Sequence, residues 1–508
     1  MTEVDIRHGD CLEVLRGLPD NSVDSVVCDP PYGLSNTKPQ QVSDVLAAWV
    51  TGDTEAVPAK KGGFMGKDWD SFVPPPAVWE ECLRVLKPGG HMAVFAGART
   101  QDLMGLSIRL AGFEIRDTCG WIYSQGFPKS MDIGKAIDKR GGNAHLAKEI
   151  GQAIREARES RGLTKGWCDL HFCGGTTNWT WFEGRPTGIR PPSVETFNAI
   201  VNEWPELAPY AEKVAEAERE VVGKSSHKSG IGNATRGHYT VGGTKAEAYN
   251  ITAPASDAAQ QWDGWGTALK PAIEPIILAR KPLVGTVAQN VLEHGVGGLN
   301  IDACRVGMSD ADREAAKVPM GDWTRSGTTG ATDSRNGATF EPAPAGRFPA
   351  NVLLDEHAAT EMDKQSGVMK SRGNKGPSKA TYTGGGATSF GDGANLPFSY
   401  DAGGGASRFF PVFKYQAKAP KKERPVIERE DGTKIQHPTV KPEKLMEWLV
   451  TLTTPPGGTV LDPFAGTGTT LQAARNKGFK AIGVEQDADY IQLIETRLAV
   501  AAEDGGLF

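Results

Sequence analysis

Asp29-Pro30-Pro31-Tyr32 places a carboxylate, two conformationally fixed residues and an aromatic ring in consecutive positions. Proline holds φ at about −65°, so the Pro30 carbonyl is fixed in direction beside the Asp29 side chain. Two such acceptors can take both N–H bonds of an amino group attached to an aromatic ring. Such a nitrogen is a poor nucleophile because its lone pair is delocalised, and fixing its N–H bonds localises that pair. Tyr32 offers a flat face on which an extruded base can stack. By itself the tetrapeptide is equally a strand ending in a proline turn with a tyrosine in the core.

A second constellation is Leu461-Asp462-Pro463-Phe464-Ala465-Gly466-Thr467-Gly468-Thr469-Thr470, a strand running into a glycine-rich turn and a helix. Glycines at 466 and 468 let backbone N–H groups approach a ligand at a helix N-terminus. No lysine follows the turn, which excludes a P-loop. Glu485 ends the next strand, Ala481-Ile482-Gly483-Val484, where an acidic side chain is placed to bind ribose hydroxyls. A third segment, His437-Pro438-Thr439-Val440-Lys441-Pro442, is a stiff loop entering a helix, and its Lys441 can neutralise a ligand carboxylate.

These residues need a scaffold that presents strand ends together. Cys11 to Leu18 reads as a helix, Ser25 to Cys28 as a buried strand, and Val78 to Leu86 as an amphipathic helix stopped by Lys87-Pro88-Gly89-Gly90. His91 to Phe95 and Phe113 to Ile122 read as strands with the helix Thr100 to Ala111 between them. Near the other end, helix Pro442 to Thr453, strand Thr459 to Leu461, helix Thr469 to Lys477, strand Lys480 to Val484 and helix Ala488 to Ala501 continue the alternation. Strand–helix alternation predicts an α/β fold, a mostly parallel sheet covered on both faces, with ligands at the carboxyl ends of its strands.

Between the two ends, Gly, Ser, Thr, Asn and Pro concentrate at 223–256, 308–347 and 368–406, which read as loops. Residues 143–222 read as four helices, His145 to Arg161, Thr164 to Phe172, Thr177 to Phe182 and Ser193 to Trp204. They resemble small helix-turn-helix modules, or a helical insertion that only packs on the rest. The chain of 508 residues has a net charge of −6, so any nucleic-acid site must be a local basic surface. Candidates are Lys129 to Arg140, Arg155 to Lys165, and Lys414 to Arg424. Seven cysteines scattered through a long chain predict reduced thiols. Cys168, His171 and Cys173 lack a second ligand pair at a usual zinc spacing, so no metal is expected. The opening MTEVDIRHGD has no basic and apolar signal pattern and no long apolar run follows, so a cytoplasmic protein without membrane contact is expected.

Taken together, the motifs resemble the amino-methylating DNA methyltransferases, in the β-class order that sets the Asp29-Pro30-Pro31-Tyr32 box before the glycine loop. The resemblance covers residues 5–140, about 260–305 and 408–500. It implies a Rossmann-like S-adenosyl-L-methionine-dependent methyltransferase fold, circularly permuted, with a mixed seven-stranded sheet and a helical insertion. The implied parts are 1–142 with the catalytic box, 143–222 as insertion, 223–436 as sheet end and target recognition, and 437–508 as the cofactor half.

Carried over by position, Asp29, Pro30, Pro31 and Tyr32 are catalytic, with Asp29 also facing the cofactor. Asp462, Pro463, Phe464, Ala465, Gly466, Thr467, Gly468 and Thr469 form the cofactor loop. Glu485 and Gln486 are the ribose side, Asp10 and Cys11 the adenine side, and Thr439 and Lys441 the methionine side. Leu34 to Phe72, with Gly66-Lys67-Asp68-Trp69-Asp70, is implied to be a mobile loop over flipped DNA, giving Lys67 and Trp69 as DNA contacts, and the basic runs add Lys129 and Lys418.

The implied activity is transfer of a methyl group to adenine N6 of a specific site in double-stranded DNA by base flipping. Cytosine N4 is the alternative, for which the family more often writes Ser at position 29. A protein or RNA methyltransferase and a non-enzymatic repressor fit fewer of the motifs. A homodimer is implied only by analogy, and a restriction endonuclease partner is not deducible.

Overall fold

The computed structural model describes residues 3–35, 37–58, 70–124, 126, 130–137, 144–174, 179–184, 191–217, 221–228, 248–252, 257–315, 318–319, 339–340, 345–368, 404–413, 425–429, 431–437 and 439–504. The chain divides into one unit made of Met1–Gly126 with Pro271–Phe508, and a second of Phe127–Lys270.

Among the described residues, the first unit is built on one nine-stranded sheet. In chain order its strands are β1 (Val4–His8), β2 (Val23–Cys28), β3 (Leu86–Phe95), β4 (Glu114–Ile122), β5 (Ile273–Arg280), β6 (Val352–Asp355), β7 (Val412–Phe413), β8 (Thr459–Asp462) and β9 (Lys480–Glu485). Their spatial order is β1-β9-β8-β2-β3-β5-β4-β6-β7. Only β5 is reversed; every other neighbouring pair not involving it is parallel. The last strand, β9, pairs with the first, Val4 opposite Ala481 through His8 opposite Glu485, so the two ends of the chain share one edge, as the permuted order implies.

β2 is buried along its whole length and β3 over most of its own, because both faces are covered. One face packs Leu15, Trp79, Cys82, Val85, Met104 and Ile108 of the helices Cys11–Arg16, Pro76–Val85 and Gln101–Leu110. The other packs Leu445, Leu449, Leu471, Phe479 and Ile494 of the helices Glu443–Thr453, Thr469–Asn476 and Ala488–Asp504 and their connections. Trp79, fully buried, is the largest single contribution to the first layer; truncating such a residue to alanine typically costs about 3–5 kcal/mol.

Three expectations are corrected here. Among the described residues the sheet has nine strands rather than seven: β6 and β7 extend it beyond β4, their short apolar runs lying in a region too rich in Gly and Pro to read as strands. Lys87-Pro88-Gly89-Gly90 does not stop the chain between helix and strand but belongs to β3, which tolerates it through a register irregularity against β2. Leu34 to Phe72 is not loop throughout: Pro39–Val50 is a helix, opened by proline at its first position, whose Val45 and Trp49 are buried, Trp49 lying 6.0 Å from the Phe72 ring.

The second unit carries the helices Ala144–Ser160, Lys165–Cys173, Trp179–Phe182 and Val194–Glu203, each within two residues of its expected bounds, then a 3-10 turn Pro205–Tyr210 and a helix Ala211–Ala217. Its core is Ile150, Ile154, Cys168, Trp179, Phe197, Ile200 and Trp204. Glu183, fully buried, accepts from Arg158 Nε at 2.5 Å and Trp179 Nε1 at 2.7 Å and pairs with Lys165 at 3.1 Å, tying three helices together. The unit is wider than 143–222. It also holds a two-stranded antiparallel pair, Val221–Lys228 with Ala248–Thr252, in a stretch that composition marks as loop.

Candidate active site

The carboxyl ends of β1, β9, β8 and β2 lie side by side, which brings Asp10, Glu485, Asp462 and Asp29 to one edge of the sheet although they are spread over 475 residues of sequence (10 to 485). β5 runs the other way, so the residue that reaches the same edge comes from its start: Glu274. Nothing in the sequence around Ile273-Glu274-Pro275 marks this acid as special except its place just before an apolar strand.

Asp29, Tyr32, Glu274 and Lys441 form one bonded cluster. Tyr32 Oη donates to Asp29 Oδ1 at 2.7 Å, and Lys441 Nζ donates to Tyr32 Oη at 2.9 Å. Lys441 Nζ also pairs with Asp29 Oδ2 at 2.9 Å and Glu274 Oε2 at 3.1 Å, and sits over the Tyr32 and Phe95 rings at 5.2 and 4.8 Å. Burial opposes the lysine's charge, but Asp29 and Glu274 outweigh it and hold its pKa above the ordinary lysine range. Desolvation, with Asp29 and Glu274 beside it, pushes the Tyr32 phenol well above its usual value, so Tyr32 stays a neutral donor. Lys441, expected on the methionine side, thus meets the catalytic box.

The box is fixed from behind. Gly33 N–H donates to Asp70 Oδ1 at 2.9 Å, and Thr100 Oγ1 donates to the Tyr32 carbonyl at 2.6 Å. Asp70 is buried and Thr100 precedes the helix Gln101–Leu110. Sequence reasoning put Asp70 in a mobile loop and did not single out Thr100 as a support.

In the glycine loop, Asp462 is buried at the end of β8 and accepts from Phe464 N–H at 3.0 Å. Burial, aided by the neighbouring Asp29 and Glu485 and opposed by hydrogen bonds from Thr470 and Phe464, moves its pKa up to about 7. Pro463 follows it, and Phe464 meets Trp79 edge-on at 6.1 Å. Ala465 N–H donates to the Val484 carbonyl at 2.9 Å. Gly466 and Gly468 take φ of +53° and +73°, the second with no room for a side chain: a Cβ there would stand 2.8 Å from Ile494 Cγ2. The Thr467 carbonyl accepts from the buried Arg497 at 2.8 Å, and Thr469 opens the following helix.

Glu485 Oε2 accepts from Gly466 N–H and Oε1 from Asp487 N–H, both at 2.8 Å. Its pKa is raised by burial, which those two bonds oppose. The Gln486 carbonyl is bonded to His8 Nε2 at 3.1 Å. Asp10 caps the helix Cys11–Arg16 by accepting from Leu12 and Glu13 N–H, and burial pushes the Cys11 thiol up to about 12. Cys28, adjoining Asp29, is likewise raised by burial, which leaves it a protonated thiol rather than a nucleophile.

Thr439 is held by His437, whose Nδ1 is bonded to the Thr439 carbonyl and whose ring meets Tyr490 edge-on at 4.7 Å; neither ring was assigned a role from sequence. Lys67, Trp69, Lys129 and Lys418 lie outside the described residues. In the second unit His171 is bonded to Glu203 at 2.7 Å and Cys168 is buried in the helical core. Among the described residues no helix is long and apolar enough to cross a membrane.

Residues 268–496 match the family model of the DNA methylases. The DNA adenine methyltransferase YhdJ of Escherichia coli is 46% identical over 66 residues, 13% of this chain and 22% of that protein. The type II methyltransferase M.HinfI of Haemophilus influenzae is 44% identical over 77 residues, 15% of this chain and 21% of that protein. The chain thus spans about a quarter or less of the length of these relatives. Among solved structures, the PvuII DNA methyltransferase (cytosine-N4-specific) aligns over 98% of this chain and 87% of its own at 12% identity with a TM-score of 0.33, too low to bear on the argument. The matched span supplies Glu274, Lys441, Asp462 and Glu485, and its strands are hydrogen-bonded into one sheet with the strand that presents Asp29, so residues 268–496 are similar to the DNA methylases.

Proposed function

We propose that the protein transfers a methyl group from S-adenosyl-L-methionine to an exocyclic amino group in double-stranded DNA, adenine N6, after the target base flips out of the helix. The observation that carries this reading is the placement of the Asp29 box and the glycine loop on the adjacent strands β2 and β8. Asp at position 29, where Ser is more frequent among cytosine-N4 enzymes, supports adenine.

The residues present fit the cofactor. The left-handed turn at Gly466 and Gly468 brings backbone close to a ligand, and the half-buried Glu485 stands one strand over. Asp462 through Thr469, Glu485, Gln486, Asp10, Cys11 and Thr439 would hold it. Bound there, S-adenosyl-L-methionine supplies an electrophilic methyl carbon on a sulfonium.

The protein's own part is orientation. Asp29 and the Pro30 carbonyl accept the two amino N–H bonds and aim the nitrogen lone pair, while Tyr32 supports the ring of the base. The amino proton becomes acidic only once the nitrogen is cationic, so Asp29 serves as an acceptor more than as a strong base. The helical unit, with Arg161 and Lys165 at the turn between its first two helices and Arg155 in the first, all partly exposed and paired with Glu183 or Glu206, is proposed to hold DNA as a helix-turn-helix.

The test is incubation with tritiated S-adenosyl-L-methionine and unmethylated duplex DNA, followed by mass spectrometry of the digested nucleosides. N6-methyladenine is expected; N4-methylcytosine would change the base and keep the mechanism, and no labelled base on varied DNA would overturn the reading. Asp29→Ala should lower turnover by at least about 1,000-fold and leave the cofactor Kd within about threefold.

A further inference from the structure

Both oxygens of Asp29 are engaged, Oδ1 by Tyr32 Oη at 2.7 Å and Oδ2 by Lys441 Nζ at 2.9 Å. Each oxygen retains a second lone pair, but a base amino group held by Asp29 competes there with two strong donors already in place. The two donors have a second acceptor in common. Glu274 Oε2 lies 3.1 Å from Lys441 Nζ and 3.5 Å from Tyr32 Oη. Resting on the methylation reading above, we propose that Glu274 is a positioning residue that receives Lys441 and Tyr32 when Asp29 turns to the base.

The physical need is specific. The Lys441 side chain is only 12% exposed, and an ammonium stripped of its partner at that depth is strongly unfavourable. With Glu274 in place the cation stays paired before and after Asp29 is released, so the exchange strands no charge. Glu274 is suited to this because its backbone is held within the sheet. It sits in β5, in register with Trp121 of β4, and the carbonyl of the next residue, Pro275, accepts from Ala96 N–H at 2.9 Å. In the proposed exchange Asp29 gives up a contact to the base and Glu274 keeps its own.

The experiment measures single-turnover methyl transfer at saturating DNA and cofactor, with the Kd of each determined separately, for wild type, Glu274→Gln and Glu274→Asp. Glu274→Gln retains the shape and removes the charge. Its transfer rate is expected to fall at least about tenfold, with both Kd values within about threefold of wild type, and Glu274→Asp should recover most of the rate. A structural role alone would instead weaken cofactor binding or the thermal midpoint together with the rate. A crystal structure of the wild type with its target duplex supplies a readout independent of turnover: Lys441 should lie on Glu274 and away from Asp29. Glu274→Gln at wild-type rate, or Lys441 still on Asp29 with the base amino group bound, would overturn the proposal while methylation stands. A wild type that transfers no methyl to DNA would overturn both.

Discussion

Asp462 carries its charge where the fold makes charge unfavourable. Its pKa rises from an ordinary carboxylate value to about 7 through burial, so the folded state binds its proton more tightly than the unfolded chain does. The stabilisation from that proton is complete below pH 4 and is lost as pH rises towards 7. Asp462→Asn removes the ionisation and keeps an acceptor for Phe464 N–H. Its thermal midpoint should exceed that of wild type by about 2 °C or more at pH 8 and match it near pH 4, measured by calorimetry at both values. An equal shift at the two pH values would show that packing, rather than the charge, is responsible. The same residue shows how far a single position can be read: Asp462 was legible as a site residue from the glycine turn after it, but its depth beneath the helices was not.

At the scale of elements, the turn between β8 and the helix Thr469–Asn476 depends on a glycine that meets another helix. Gly468→Ala would combine a left-handed φ of +73° with a Cβ 2.8 Å from Ile494 Cγ2 on the helix Ala488–Asp504. Conformation alone costs about 1–2 kcal/mol, and the collision adds to it. The variant should unfold at lower denaturant and bind cofactor at least about tenfold more weakly. Wild-type cofactor affinity would show that the loop does not depend on this close approach. The elements themselves were readable because each strand is a short apolar run closed by Pro, Gly or an acid, and each helix repeats its apolar residues every three to four positions. The helix Pro39–Val50 was missed although Val42, Val45, Leu46 and Trp49 recur at helical spacing, because the resemblance to a mobile loop overrode that pattern. β6, no shorter than β8, was missed because no glycine turn or motif follows it and its surroundings are rich in Gly and Pro.

For the whole molecule, the helical unit is inserted between two strands that pair with each other. β4 and β5 run antiparallel, Ile122 opposite Ile273, and Tyr123 N–H donates to the Ala272 carbonyl at 3.1 Å, so the chain leaves and re-enters the sheet at neighbouring points. Replacing 127–270 with a short Gly-Ser linker should therefore leave cofactor Kd within about fivefold by calorimetric titration, and should weaken duplex binding at least about tenfold by anisotropy. Unchanged duplex affinity would exclude a DNA-holding role for the helices. The sequence by itself determined the alternation of strands and helices, the two motifs at strand ends and their permuted order, because these are local patterns of polarity and turn chemistry. Only the tertiary structure decided that Glu274 joins Asp29, Tyr32 and Lys441. That grouping follows from the reversed direction of β5 and from pairing across hundreds of residues, and no local pattern encodes which acid, arriving from the opposite end of a strand, reaches the same edge of the sheet.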